Sequence, residues 1–248
     1  MVAKWVYSKI SCDGGREVNE DSVACVPTAS GLMLVVADGL GGHGKGEVAS
    51  GLLTEVMSRE FLANTEPLTE GFIPAAFETA QAELMQLQEE RRATSEMKTT
   101  AAALVISADK AYWGHCGDTR LYYFRDSVMV ERTLDHSVPQ MLVLTGEIDE
   151  DEISGHPDRN KLLRVFGAPW ESPRYQTGGP AFLSNKSAFL LCTDGFWEHI
   201  TDKMMAEYLK KTRTAAEWLV LMKAEVEANG KGKKMDNYTA AVVRAVAE

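Results

Sequence analysis

The chain has 248 residues, 45% hydrophobic and 25% charged, enough apolar material to bury a core without disulfides and too much for wholesale disorder. Its 26 Lys plus Arg against 36 Asp plus Glu give a formal net charge of −10, which repels nucleic acid and anionic membrane. The opening MVAKWVYSKI lacks the apolar stretch of a signal peptide, and no run approaches membrane-spanning length. Cys12, Cys25, Cys116 and Cys192 form no C-x-x-C pair, so core thiols in a cytoplasmic protein are expected.

In chain order, three β-branched or aromatic runs come first: WVYSKISC (5–12), DSVACV (21–26) and LMLVVA (32–37), each reading as a strand. Two amphipathic segments follow, one with Val48, Leu52 and Val56 at helical spacing, the other with Phe72, Ala76, Ala80, Leu84 and Leu87. Four more strands are expected at TAAALVIS (100–107), KAYWGHC (110–116), RLYYFR (120–125) and VMVER (128–132). AFLLC (188–192) and YTAAVVRAV (238–246) complete the set. They flank a third helix over 215–228, with Trp218, Leu219, Met222 and Val226 on its apolar side. Strands thus come in hairpin-spaced blocks with helices grouped between them. That favours an antiparallel α+β layered domain, with 1–248 as one unit, over a doubly wound parallel sheet.

The loop VVADGLGGHGKGE (35–47) offers two phosphate-binding readings. G-x-x-x-x-G-K (Gly39, Gly44, Lys45) resembles a P-loop, but the position after the lysine is Gly46 rather than a magnesium-binding hydroxyl, and β-α-β units are missing. G-x-G-x-x-G (Gly39, Gly41, Gly44) needs a second strand ending in an acid; the candidate, Glu60, falls inside a helix. A plain glycine turn explains the spacing, but not why Asp38 ends so apolar a strand.

Other acids stand where Asp38 does. Asp194 follows AFLLC and precedes Gly195, Asp118 follows KAYWGHC, Asp236 precedes the last strand, and Glu20 and Asp21 precede SVACV. Carboxylates gathered at strand ends repel one another unless a cation or proton compensates, and an all-oxygen set suits Mg²⁺ or Mn²⁺. A glycine after Asp38 lets the backbone approach closely enough for its carbonyl to join. Taken singly, each of these acids reads as a turn former.

Seven segments carry a family resemblance: GGREVNEDS (14–22), VVADGLGGHGKGEVAS (35–50), GHCGDTR (114–120), LDHS (134–137), HPDRN (156–160), LLCTDGFWE (190–198) and DNYTAAVV (236–243). In this order the chain resembles the type 2C metal-dependent serine/threonine protein phosphatases, particularly their single-domain bacterial branch. The resemblance implies a four-layer α-β-β-α sandwich with metals in a cleft at one edge. It makes Asp38 the bridging ligand of two Mn²⁺ or Mg²⁺ ions, Gly39 a backbone-carbonyl ligand, and Asp194 and Asp236 carboxylate ligands. Asp118 becomes the ligand of a third ion and Arg16 the grip on substrate phosphate. Glu20 and Asp21 are implied to hold metal-bound water or to support the ligands. A metal-activated water would then hydrolyse phosphoserine and phosphothreonine in proteins without a phosphoenzyme.

The family's candidate general acid, a histidine two residues after the bridging aspartate, is Leu40 here. His43 and His136 are the alternatives, and residues 138–160 correspond to a flap beside the cleft. The implied partners are a phosphoprotein substrate and the serine/threonine kinase that opposes it in signal transduction, with the chain acting as a monomer. A phosphoprotein-binding module on the same fold and a nucleotide hydrolase using the 39–45 loop are the competing functions.

Overall fold

A computed structural model describes residues 4–41, 45–93 and 96–246. The elements in order are β1 (Lys4–Cys12), β2 (Asp21–Pro27), β3 (Leu32–Leu40), α1 (Lys45–Ala63), α2 (Phe72–Glu90), β4 (Lys98–Thr99), β5 (Ala101–Ser107), β6 (Lys110–Cys116), β7 (Arg120–Arg125), β8 (Val128–Arg132), α3 (Val138–Thr145), β9 (Gln176–Phe182), β10 (Ser187–Cys192), α4 (Asp194–Trp197), α5 (Asp202–Lys211), α6 (Ala215–Gly230) and β11 (Tyr238–Val246). One sheet runs β1-β11-β10-β7-β8. The other runs β2-β3-β5-β6-β9, with β4 added beside the end of β3. All the paired strands are antiparallel.

The near-continuous apolar runs have a simple cause: the central strands are covered on both faces. Along β3, Leu34 and Val36 meet Leu191, Ala241 and Val243 of the opposite sheet, while Met33, Val35 and Ala37 face α1 and α2 through Leu53, Met57 and Phe77. The other sheet repeats the arrangement. Phe189 and Leu191 point between the sheets, and Leu190 packs outward with Trp218, Met222 and Val226 of α6. Three apolar layers thus separate four structural ones, α-β-β-α, as the family resemblance implied and in keeping with the layered antiparallel domain expected from the block-wise strands.

Three differences from the sequence reading bear on the site. β3 does not stop at Ala37; it continues through Asp38 and Gly39 to Leu40 because β4 pairs with Gly39 and Leu40. The strand β9, QTGGPAF, was not expected: its glycines and proline read as loop, but a Cβ on Gly178 would lie 2.3 Å from the Trp113 ring nitrogen, so the pairing with β6 requires a bare backbone there. The flap contains a helix, α3, capped by Ser137, whose Oγ accepts from the Gln140 N–H.

Candidate active site

The β2–β3 hairpin sets the first part of the site. Its register places Asp21 opposite Asp38, and the Gly39 N–H donates to the Glu20 carbonyl at 3.0 Å. Behind Asp38, the Thr99 hydroxyl donates to the Asp38 carbonyl at 2.7 Å, as does the Thr100 N–H at 2.9 Å. The start of α1 presses on this strand so closely that a Cβ on Gly39 would lie 2.3 Å from Gly46. Here the glycine is required by backbone contact rather than by a phosphate. Glu20 lies at the same helix start and accepts from the Gly46 N–H, where the helix dipole favours a negative charge.

β10 and β11 supply the second part. Asp194 is the first residue of α4, and Asp236 precedes β11. The two meet because a Cβ on Gly195 would be only 2.1 Å from the Asn237 carbonyl, so α4 and the 236–237 turn are in backbone contact. Asn237 ties the termini of the fold together: its Oδ1 accepts from the Glu20 N–H at 2.9 Å, and its Nδ2 donates to the carbonyls of Asp13 and Val18. Between the two sheets, the Thr193 hydroxyl donates to Asp21 at 2.9 Å and accepts from the Thr239 N–H at 3.0 Å.

These elements enclose a cleft of about 930 Å³ whose walls include Arg16, Glu20, Asp38, Gly39, Asp118, Asp194 and Asp236. Burial, compounded by Asp21, Asp194, Asp118 and Asp236, pushes the Asp38 carboxyl well above the usual carboxylate range. Burial and the nearby Asp194 do the same to Asp118. For Asp194, burial first and Asp236 second raise the value to about 6. Asp118 Oδ1 is buried and has no hydrogen-bond partner among the described residues. Buried, mutually repelling carboxylates with an orphaned oxygen fit a hard divalent cation in kind. Arg16 donates to Asp236 at 2.5 Å, and among the described residues no three His, Cys, Asp or Glu side chains already stand close enough to share one ion. Holding one ion between three of these side chains would therefore need them to draw closer together.

A sequence model of the family described as "Protein phosphatase 2C" matches residues 11–229. The chain belongs to the protein phosphatase 2C family. As a member it is a metal-dependent serine/threonine protein phosphatase. It is 30% identical over 248 residues to "Serine/threonine phosphatase stp" of Listeria monocytogenes serotype 4b, covering 96% of this chain and 95% of that one. The crystal structure of the Mycobacterium tuberculosis serine/threonine phosphatase PstP/Ppp superposes with a TM-score of 0.83 at 27% identity, covering 98% of this chain and 99% of the other. The PstP catalytic domain in complex with two manganese ions gives a TM-score of 0.82 at 26% identity, with the same coverage.

Several expected residues of this phosphatase 2C chain stand elsewhere than the front of the cleft. Asp21 does not line it; it stands opposite Asp38 in the β2–β3 register, where burial raises its carboxyl to about 7 against the opposing pull of the Thr239 and Thr193 hydroxyls. His136 is buried, its ring stacked on His115 at 4.6 Å, and its Nδ1 accepts from the Gly117 N–H. It does not line the cleft, and burial, with His115 next, pushes it down to about 3. His43 lies outside the described residues. Lys45 forms an ion pair with Glu96 and does not line the cleft, which leaves the 39–45 loop without a phosphate-reaching lysine. Sequence reasoning passed over Asn160, Lys234 and Asn237, all on the cleft wall. Asn160 and Asn237 sit inside the quoted HPDRN and DNYTAAVV segments, next to residues that drew attention for their charge.

Proposed function

We propose that this cleft hydrolyses phosphoserine and phosphothreonine esters of proteins by direct attack of water, with two divalent ions, Mn²⁺ or Mg²⁺, held about Asp38. The carrying observation is the set of Asp38, Asp118, Asp194 and Asp236 on one cleft wall, two of them forced well above their ordinary range by burial and by each other. Asp38 would hold both ions, the Gly39 carbonyl would join one of them, and Asp194 and Asp236 would hold the other. Asp118 would hold a third. Bound there, such ions supply an activated water and neutralise charge on phosphate oxygens.

The chain's own residues do the rest. Arg16, half-exposed at the mouth, offers a planar fork to phosphate oxygens once Asp236 has turned to a metal. Glu20, beside the start of α1, would accept hydrogen bonds from water at the edge of the cleft. Asp21, held by the Thr193 hydroxyl, stands opposite Asp38 in the hairpin register. Among the described residues, the lining contains no Ser, Thr, Cys or His, and this reading gives its aspartates to the ions rather than to a covalent intermediate.

The substrates are phosphoproteins made by a serine/threonine kinase. Unpaired thiols, with no helix among the described residues long and apolar enough to cross a membrane, suit a cytoplasmic monomer acting in signalling. Hydrolysis of para-nitrophenyl phosphate and of a phosphothreonine peptide should require added Mn²⁺ and vanish in Asp38→Ala and Asp236→Ala. Turnover that persists in EDTA, or in both variants, would exclude this function. Binding of the peptide without turnover at saturating Mn²⁺ would favour a recognition module instead.

A further inference from the structure

We propose that Trp197, clamped by Arg120, is a positioning residue that sets the span between Asp118 and Asp194 and so the affinity for a divalent ion held at Asp118; this rests on the metal reading above. The helix α4 is a single turn with Asp194 at its start and Trp197 at its end. From that end the indole N–H returns to donate to the Asp118 carbonyl at 3.0 Å. Asp118 stands in the turn between β6 and β7 and follows Gly117, whose φ is +95°. The two carboxylate-bearing segments leave the paired ends of β7 and β10, where Arg120 stands opposite Cys192, and the indole bond ties them together just beyond that pairing.

The indole is itself immobilised. The Arg120 guanidinium stacks on its ring with 3.5 Å between Cζ and the ring centroid. Arg120 donates to both oxygens of Asp135, at 2.8 and 2.6 Å, and to the Tyr122 hydroxyl at 3.3 Å. The Arg120 and Asp135 side chains are only 6% and 1% exposed. A buried ion pair adds little net stability over apolar packing, so its place under a catalytic turn is better explained by the geometry it enforces. Arg120 is two residues from Asp118, so the clamp fixes both ends of the turn that carries the orphaned Asp118 oxygen.

Trp197→Phe keeps a six-membered ring for Arg120 and removes the N–H together with the rest of the second ring. Calorimetric titration of the whole chain with Mn²⁺ alone should show the weakest-bound ion loosened about three- to tenfold, the ordinary worth of one buried hydrogen bond. Asp118→Asn should lose that ion, and adding Trp197→Phe to Asp118→Asn should change the isotherm no further. Melting in EDTA checks that the variants remain folded. A Trp197→Phe isotherm that overlays the wild type, while Asp118→Asn loses the ion, overturns the positioning role and leaves the metal reading intact. Equal weakening of every site, persisting in the Asp118→Asn background, also overturns it. An Asp118→Asn isotherm identical to wild type overturns the metal reading at Asp118 and the proposal with it.

Discussion

Asp194→Asn in metal-free protein should be stabilising, and increasingly so as pH rises. In the folded chain, burial and Asp236 raise the Asp194 carboxyl from 3.8 to about 6. A raised carboxyl favours the fold below its unfolded value, and that contribution is lost as pH climbs through the folded value. The ionised Asp194 is thus a liability above pH 6 that the amide removes. A displacement from 3.8 to about 6 is worth about 3 kcal/mol at about 1.36 kcal/mol per pH unit. The carboxylate accepts from the Gly195 N–H and is helped by Arg159, both partly lost in the amide, so a net gain of about 2–3 kcal/mol is expected at pH 7.5. For a chain of this size that is roughly 5–10 °C in Tm, shrinking towards zero near pH 4. Calorimetric melts in EDTA between pH 4 and 8 measure it. The order should reverse with saturating Mn²⁺, because the wild type gains binding free energy that the amide forfeits. A variant equal to or less stable than wild type in EDTA at pH 7.5, or a gain independent of pH, would refute the picture of mutually repelling buried acids.

Lys45→Ala should leave kcat/KM for a phosphopeptide within about threefold, because Lys45 is engaged by Glu96 rather than by the cleft; an effect as severe as that of Asp38→Ala would revive the nucleotide-loop reading. His136→Asn should cost about 1–3 kcal/mol of stability by chemical denaturation while leaving the shape of the pH–rate profile unchanged, since a ring pushed down to about 3 does not titrate near neutrality. Gly195→Ala should cost about 1–3 kcal/mol or more and most of the Mn²⁺ affinity, because its Cβ would meet the Asn237 carbonyl at 2.1 Å and drive α4 away from Asp236; wild-type melting and titration curves would contradict that contact.

Much of the fold was legible because burial on both faces leaves an unmistakable trace. Runs such as Leu32 to Ala37 are apolar at every position, whichever sheet face they serve. The strand β9 escaped because it has Gly178 where the Trp113 ring needs room and five of its seven residues exposed, so no periodicity survives. The helix α5 buries only Met205 and Leu209, too little to stand out from its charged surface. In the site, the acids at strand ends announced themselves because a charge after an apolar strand needs a reason. Their supports did not. Thr193 and Asn237 act through hydrogen bonds to residues more than 170 positions away, such as Thr193 to Asp21, and no local pattern encodes such a partner. Asp21 shows the same limit from the other side. Its type and place in the hairpin were readable, but its position opposite Asp38 depends on strand register and on Thr193 reaching across from the other sheet. The Arg16–Asp236 ion pair also joins residues 220 positions apart and was invisible for that reason.

The most direct measurement is an anomalous difference map, recorded near the manganese edge, from a crystal of the protein grown with Mn²⁺. Two peaks are predicted on either side of the Asp38 carboxylate, one within reach of Asp194 and Asp236 and the other beside the Gly39 carbonyl, with Asp236 released from Arg16. Density showing Asp236 still bound to Arg16 and no anomalous peak within coordination distance of Asp38 would contradict the account.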